Sequence, residues 1–212
     1  MTIYDIHTHH HPEVPGTAIV QATPQAFNLR PGHYYSVGLH PWDIIDDWRV
    51  QMAKLFVMAQ HPQVLMIGEA GMDKKHGKAS LELQMEVFRE HIRLSELVRK
   101  PLIIHCVKAF DELFAMRKSS RAIQPWILHG YRGGVEQWTQ LSRIGIRVSM
   151  GERYNEKLVL ELGTDMLFLE SDESYDIDSI YESVSVTTNI NKQDLRGLIS
   201  QNIYNLLANT IF

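Results

Sequence analysis

Short apolar runs recur along this chain, each closed by turn residues and most followed by a stretch with helical spacing. That alternation builds βα units around a parallel sheet. The candidate strands are Ile3–His7, Thr17–Ala22, Tyr34–Gly38, Val64–Gly68, Leu102–His105, Trp126–Leu128, Ile146–Met150 and Met166–Glu170. Eight strands in 212 residues predict an α/β fold, a small distorted (β/α)8 barrel of the TIM type. No low-complexity linker or composition shift divides the sequence, so residues 1–212 are expected to form a single domain.

Between the strands, Ile45, Trp48, Met52, Leu55 and Ala59 step by three and four, as one face of a helix does. Leu81, Met85, Phe88 and Ile92 repeat the pattern, and Pro101 stops that helix ahead of the next strand. A last helix opens with Asn191 as N-cap and carries Leu195, Ile199, Ile203 and Leu206 on one side. These stripes read as core. Thr23 to His33 holds two prolines and a glycine and is too short for a crossover helix, so a loop is expected there.

Composition narrows the function. With 44% hydrophobic and 22% charged residues the chain reads as a soluble globular protein. A net charge of −4 offers no basic footprint for long nucleic acid. Cys106 is the single cysteine, which excludes an internal disulfide and fits a reducing, cytoplasmic setting. There is no signal-like N-terminus and no long apolar run, so neither secretion nor a membrane partner is expected, and no protein partner is inferable.

Chemistry-bearing residues gather at the strand ends. His7 and His9, two apart on a strand, project to one face. Glu69 follows the fourth strand, His105 and His129 end the next two, and Asp172 follows the last. Residues at the C-terminal ends of parallel barrel strands converge on one mouth. A histidine ending an apolar strand needs a metal or a hydrogen bond, so hydrogen-bonded structural histidines are the competing reading. Mixed imidazole and carboxylate ligands suit Zn, Mn, Fe or Ni better than Ca or Mg. A carboxylate such as Glu69 can span two ions, and Asp172 offers a ligand and a general base.

The ordered segments Asp5-Ile6-His7-Thr8-His9, Val37-Gly38-Leu39-His40-Pro41, Gly68-Glu69-Ala70-Gly71-Met72-Asp73, Pro101-Leu102-Ile103-Ile104-His105, Leu128-His129-Gly130 and Leu169-Glu170-Ser171-Asp172 resemble the TatD-type metal-dependent hydrolases of the amidohydrolase superfamily. Gln84, Phe88 and Asn202 also fall where that family has similar residues. The resemblance implies a distorted (β/α)8 barrel, a deoxyribonuclease-like hydrolysis of phosphoester bonds, and one or two divalent ions, with Mg joining Zn, Mn, Ni and Fe as candidates. It implies that His7, His9, Glu69 and Asp172 hold one ion, and Glu69, His105 and His129 a second. Glu69 and Asp172 are then the expected catalytic residues, and DNA ends the expected substrate. Ligand histidines must be neutral, so activity is expected to fall as pH drops through about 6.

The departures lie on the mouth loops: a short segment before Gly38-Leu39-His40-Pro41, Cys106-Val107-Lys108 after His105, Gly130-Tyr131-Arg132-Gly133 after His129, and Ser174 beyond Asp172. Lys108 and Arg132, each just past a ligand histidine, and His40 at the third strand end are the candidate substrate contacts. Lys74, Lys75 and Lys78 form a basic loop that can attract phosphate or stay solvated. Gly130, Gly133 and Gly134 suit an anion or a turn equally. His7-Thr8-His9-His10-His11 also resembles the histidine pattern of the polymerase-and-histidinol-phosphatase esterases, though Pro12 ends the run. Cys106 reads as buried and inert, and His33, His61, His76 and His91 as surface or loop residues. The alternatives to a nuclease are the same centre acting on a small ester, amide or phosphate monoester, and a relative that binds metal without turnover.

Overall fold

The computed structural model describes residues 2–208. Its sheet has seven strands, β1 (Asp5–Thr8), β2 (Ala18–Ala22), β3 (Tyr34–Val37), β4 (Val64–Asp73), β5 (Leu102–Val107), β6 (Trp126–Leu128) and β7 (Ile146–Val148), all parallel and neighbours in sequence order. Helices α1 (Trp48–Met58), α2 (Leu81–Val98), α3 (Phe110–Ser120), α4 (Val135–Arg143), α5 (Glu156–Leu162), α6 (Ile177–Thr188) and α7 (Lys192–Ala208) follow β3 onward. This is the expected TIM-like α/β architecture in one domain. The connections from β1 to β2 and from β2 to β3 are loops, as Thr23–His33 predicts. Among the described residues, no helix is long and apolar enough to cross a membrane.

The expected eighth strand is present only as a bridging segment. Residues 167–172 bond on one side to Met150, whose N–H donates to Phe168 O at 3.0 Å and whose carbonyl accepts from Glu170 N at 3.1 Å. On the other side Ile6 N donates to Leu169 O, and Asp172 N to His7 O, each at 3.0 Å. The segment joins β7 to β1. It stays irregular because Met166 ends a 3₁₀ turn, Thr164–Met166, and Asp172 adopts φ +53°, which interrupts extended backbone.

Strand lengths also differ from expectation. Glu69 and His105 lie inside β4 and β5, which run on to Asp73 and Val107. The two strands pair Gly71 with His105 and Asp73 with Val107, after a register shift between Ile67 and Ala70 that brackets Glu69. Such a bulge re-aims a side chain, and these occur beside active sites. Gly71, at φ +153°, lies so close to β5 that a Cβ there would strike the His105 carbonyl. The glycine is what lets β4 approach β5 at the level of the site.

The helices pack as their stripes require. Leu195, Ile199, Ile203 and Leu206 are fully buried, and Asn191 Oδ1 accepts from Asp194 N at 3.0 Å. In α2, Phe88 and Ile92 are buried, and Ser80 caps through Leu83 N at 3.2 Å. Ile45 is a correction: it precedes α1 and is exposed. His91 is also a correction, since it is buried on α2; His33 lies in a loop, though buried, His76 is exposed and His61 half-buried. His91 lies on the inner face of α2, where its Nδ1–H donates to Val87 O at 2.9 Å and its Nε2 accepts from Leu39 N at 3.0 Å. That pair of bonds makes an interior position tolerable for an imidazole, and burial pulls its pKa down to about 4.

Candidate metal centre

Four imidazoles, His7 and His105 on strands and His9 and His129 one residue past strand ends, meet around one buried carboxylate. Glu69 Oε2 is 3.4 Å from Nε2 of both His7 and His9, and its Oε1 is 2.7 Å from His129 Nε2 and 2.8 Å from His105 Nδ1. Asp172 Oδ1 lies 3.8 Å from His7 Nε2 and 3.6 Å from His9 Nε2. His7, Glu69 and His129 form one group able to hold an ion; His7, His9 and Asp172 form another. The six residues expected to be ligands are therefore brought together at one mouth.

Each is placed by its own backbone. Gln21 on β2 accepts from Glu69 N at 2.6 Å and from Ser36 Oγ at 2.9 Å, which fixes the bulge that aims the carboxylate. Asp5, two residues before His7, accepts from Ser171 Oγ at 2.6 Å and Ser171 N at 3.1 Å, tying β1 to the closing segment. Burial pushes Asp5 up to about 7 against those hydrogen bonds. Asp172 takes a left-handed conformation that aspartate adopts more readily than most residues, a local strain of the kind found at functional sites.

The electrostatics mark a site built for positive charge. Burial alone would raise the Glu69 pKa, but the His129 charge and hydrogen bonds from His105, His129 and His40 hold it well below the usual carboxylate range. His129 is pushed the other way: burial would lower it, yet Glu69 and Glu170 on either side raise it well above the usual imidazole value. His7 supplies the test of fit. It is fully buried, and neither ring nitrogen has a hydrogen-bond partner. An imidazole left so would cost on the order of 1–3 kcal/mol, which coordination of a cation relieves. The donors fit a divalent metal.

Several residues that sequence reasoning passed over complete the arrangement. Glu170 Oε1 stands 3.3 Å from His129 Nδ1, and Asp73 Oδ2 stands 3.2 Å from His105 Nε2. Trp42 donates its indole N–H to Asp73 Oδ2 at 2.7 Å. Both acids were visible in the motif segments, two residues before Asp172 and four after Glu69, but nothing in their spacing told which imidazole each would support.

Of the expected substrate contacts, Lys108 and Arg132 line a cavity of about 360 Å³ together with His105, His129 and Asp172. His40 lines a second cavity, about 330 Å³, with Trp42, Glu69 and the same three residues. Lys74 is paired with Glu112 at 2.7 Å, and neither it nor Lys75 nor Lys78 lines these cavities. Gly130 serves a turn at φ +59°, its N–H given to Glu170 Oε1 at 2.6 Å. His10 stacks on Tyr175 and bonds Glu173 O, while His11 bonds the Tyr35 hydroxyl, so the longer histidine run does not enter the centre. Cys106 lines the Lys108 cavity rather than being fully buried, but burial still pushes its thiol up to about 12, so it is no thiolate nucleophile.

Comparison with known proteins fits this geometry. The family model described as TatD related DNase matches residues 6–206. The uncharacterized metal-dependent hydrolase YabD of Bacillus subtilis is 29% identical over 147 residues, 66% of this chain and 58% of that protein. The 3'-5' ssDNA/RNA exonuclease TatD of Klebsiella pneumoniae is 26% identical over 160 residues, 68% of this chain and 58% of its own. The chain thus aligns with under two thirds of the length of these relatives. The crystal structure of YJJV, a TatD homolog from Escherichia coli K12, superposes with a TM-score of 0.80 at 18% identity, covering 98% of this chain and 99% of that one. At that identity the likeness speaks for the fold alone.

Proposed function

Because this chain belongs to the TatD-related DNase family, we propose that it is a metal-dependent phosphodiesterase, one catalytic domain over residues 1–212 that acts on DNA ends in the cytoplasm. The observation that carries this reading is Glu69, one buried carboxylate with an oxygen toward each of two imidazole pairs. His7, His9, Glu69 and Asp172 would hold one divalent ion, and Glu69, His105 and His129 a second. Zn, Mn, Ni and Fe suit that mixture of nitrogen and oxygen donors, and Mg is the harder alternative. Such an ion, when bound, supplies Lewis acidity that polarises a phosphoryl oxygen and acidifies water.

The chain's own groups supply the rest. Asp172 is partly exposed at the rim, where its carboxylate can take a proton from an attacking water. Lys108 and Arg132, on the cavity that shares His105, His129 and Asp172, can hold the charge of phosphates flanking the scissile bond. An enzyme working at a strand end grips only a few phosphates, so a net charge of −4 is no obstacle.

The test is hydrolysis of end-labelled single-stranded DNA with Mg, Mn or Zn, set against His7→Ala and Asp172→Asn. Each substitution is expected to lower the rate about 100- to 10,000-fold. The two cavities, at about 360 and 330 Å³, are also of small-ligand size, which favours a small ester, amide or phosphate monoester as the second reading. Turnover of such compounds with intact DNA left untouched would select it.

A further inference from the structure

What stands behind each imidazole sorts the histidines of this centre by role. His105 turns Nδ1 toward Glu69 and has the Asp73 carboxylate behind Nε2, at 3.2 Å. His129 turns Nε2 toward Glu69 and has the Glu170 carboxylate behind Nδ1, at 3.3 Å. When a cation displaces the hydrogen bond each ring gives to Glu69, the carboxylate at the rear keeps the one ring N–H and the inward nitrogen is left with its lone pair for the ion.

His40 is built the opposite way. Its Nε2 lies 3.3 Å from Glu69 Oε1, and distance alone admits it to a group with Glu69 and His105 tight enough to hold an ion. Behind it, however, stands a donor: Trp42 N–H gives its hydrogen bond to His40 Nδ1 at 3.2 Å. A neutral imidazole carries one N–H, and here the Nδ1 lone pair is already used. The proton therefore sits on Nε2, facing the centre, and a protonated nitrogen is no metal ligand.

The ring is held in that attitude from several sides. His40 caps the 3₁₀ turn Pro41–Asp43 through the same Trp42 contact, and the neighbouring Leu39 N is anchored by His91 Nε2 at 3.0 Å. The Trp42 indole is pinned to Asp73 and packs at right angles to the His40 ring, with centroids 4.8 Å apart.

We propose that His40 is a catalytic hydrogen-bond donor, not a cation ligand: its Nε2–H, which faces Glu69 Oε1 at 3.3 Å here, passes to a phosphoryl oxygen of the bound substrate once that carboxylate is turned to the cations. This rests on the phosphodiesterase reading of the centre. Negative charge gathers on the phosphoryl oxygens during transfer, and a fixed donor there acts on the transition state more than on the ground state.

The experiment uses the zinc-loaded protein, its His40→Ala and His40→Gln variants, and His105→Ala as the ligand control. His40→Ala is expected to keep the full wild-type metal count, whereas His105→Ala loses metal. On a phosphodiester, kcat of His40→Ala falls about 100- to 1,000-fold with KM little moved. His40→Gln, whose amide N–H reaches the same place, recovers part of the loss. Long-range 1H–15N spectra of the zinc-loaded wild type should show His40 with a protonated Nε2 and a bare Nδ1. A lost ion in His40→Ala, a metal-coordinated Nε2, or an unchanged kcat overturns the proposal. If the wild type cleaves no phosphodiester, the functional reading fails and takes the substrate half with it. The metal count and nitrogen spectrum then still decide between donor and ligand.

Discussion

Glu170 lies directly behind His129, with Oε1 3.3 Å from Nδ1, and its other oxygen accepts from the Ser149 hydroxyl. Since Oε1 also accepts from Gly130 N at 2.6 Å, this buried carboxylate is saturated with donors and can only act as an acceptor toward the imidazole. Glu170→Gln puts an amide N–H among those donors and turns the His129 ring. Ion affinity is expected to fall about 10- to 100-fold, read by metal titration, with the helical circular-dichroism signal retained.

Neither His7 ring nitrogen has a hydrogen-bond partner, although Glu69 Oε2 and Asp172 Oδ1 stand 3.4 and 3.8 Å from Nε2. His7→Leu is accordingly expected to leave the metal-free protein as stable as the wild type or more so. Adding Mn2+ or Zn2+ at a hundred times its dissociation constant should stabilise the wild type by about 2.7 kcal/mol. The variant should lose most of that gain, which thermal melts with and without metal would show. A metal-free His7→Leu protein that melts well below the wild type contradicts this account.

Gly71→Ala would drive a methyl group into the His105 carbonyl on the adjoining strand, at a φ of +153° that alanine rarely adopts. The nearest atoms are all His105 backbone, which leaves no flexible side chain to yield. The substitution should cost more than about 3 kcal/mol, visible in urea unfolding, and should weaken metal binding because β4 and β5 can no longer hold Glu69 and His105 in register.

His91 makes stability depend on pH. Its folded pKa is about 4 against 6.5 for the free side chain, so between these values the unfolded chain binds the extra proton. Its contribution is complete above pH 6.5 and is lost as pH falls toward 4, amounting to about 3 kcal/mol over the window. His91→Gln, which cannot titrate, should flatten that part of the profile. Denaturant melts of both proteins at pH 7 and pH 4.5 would read the difference, and parallel profiles would refute the assignment.

The sequence revealed the barrel, and with it the candidate ligands at the strand ends, because strands and helices are periodic. Alternating side chains on short strands placed His7 and His9 together, and helical spacing placed Leu195, Ile199 and Ile203 inside. What it hid depends on contacts between distant segments. Nothing local distinguishes Glu170 from Asp172 as support and rim acid, or shows that Leu39 N would sit on His91, which lacks an obvious partner in sequence. The lengths of β4 and β5 were hidden for a related reason: the apolar run of β4 stops at Gly68, whereas Gly68 and Gly71 permit close pairing beyond it. His40 illustrates the limit most clearly, since its tautomer is set by a backbone N–H two residues on.

The segment at residues 167–172 is hydrogen-bonded to the strand that begins the barrel. A polypeptide leaving the ribosome therefore exposes His7 and His9 long before Asp172 exists to face them. Neither end of the ring can be completed by early folding of the first half, so a chain cut short before Asp172 has its leading histidines but no finished centre. Any activity of the proposed centre is thereby tied to the arrival of that closing segment.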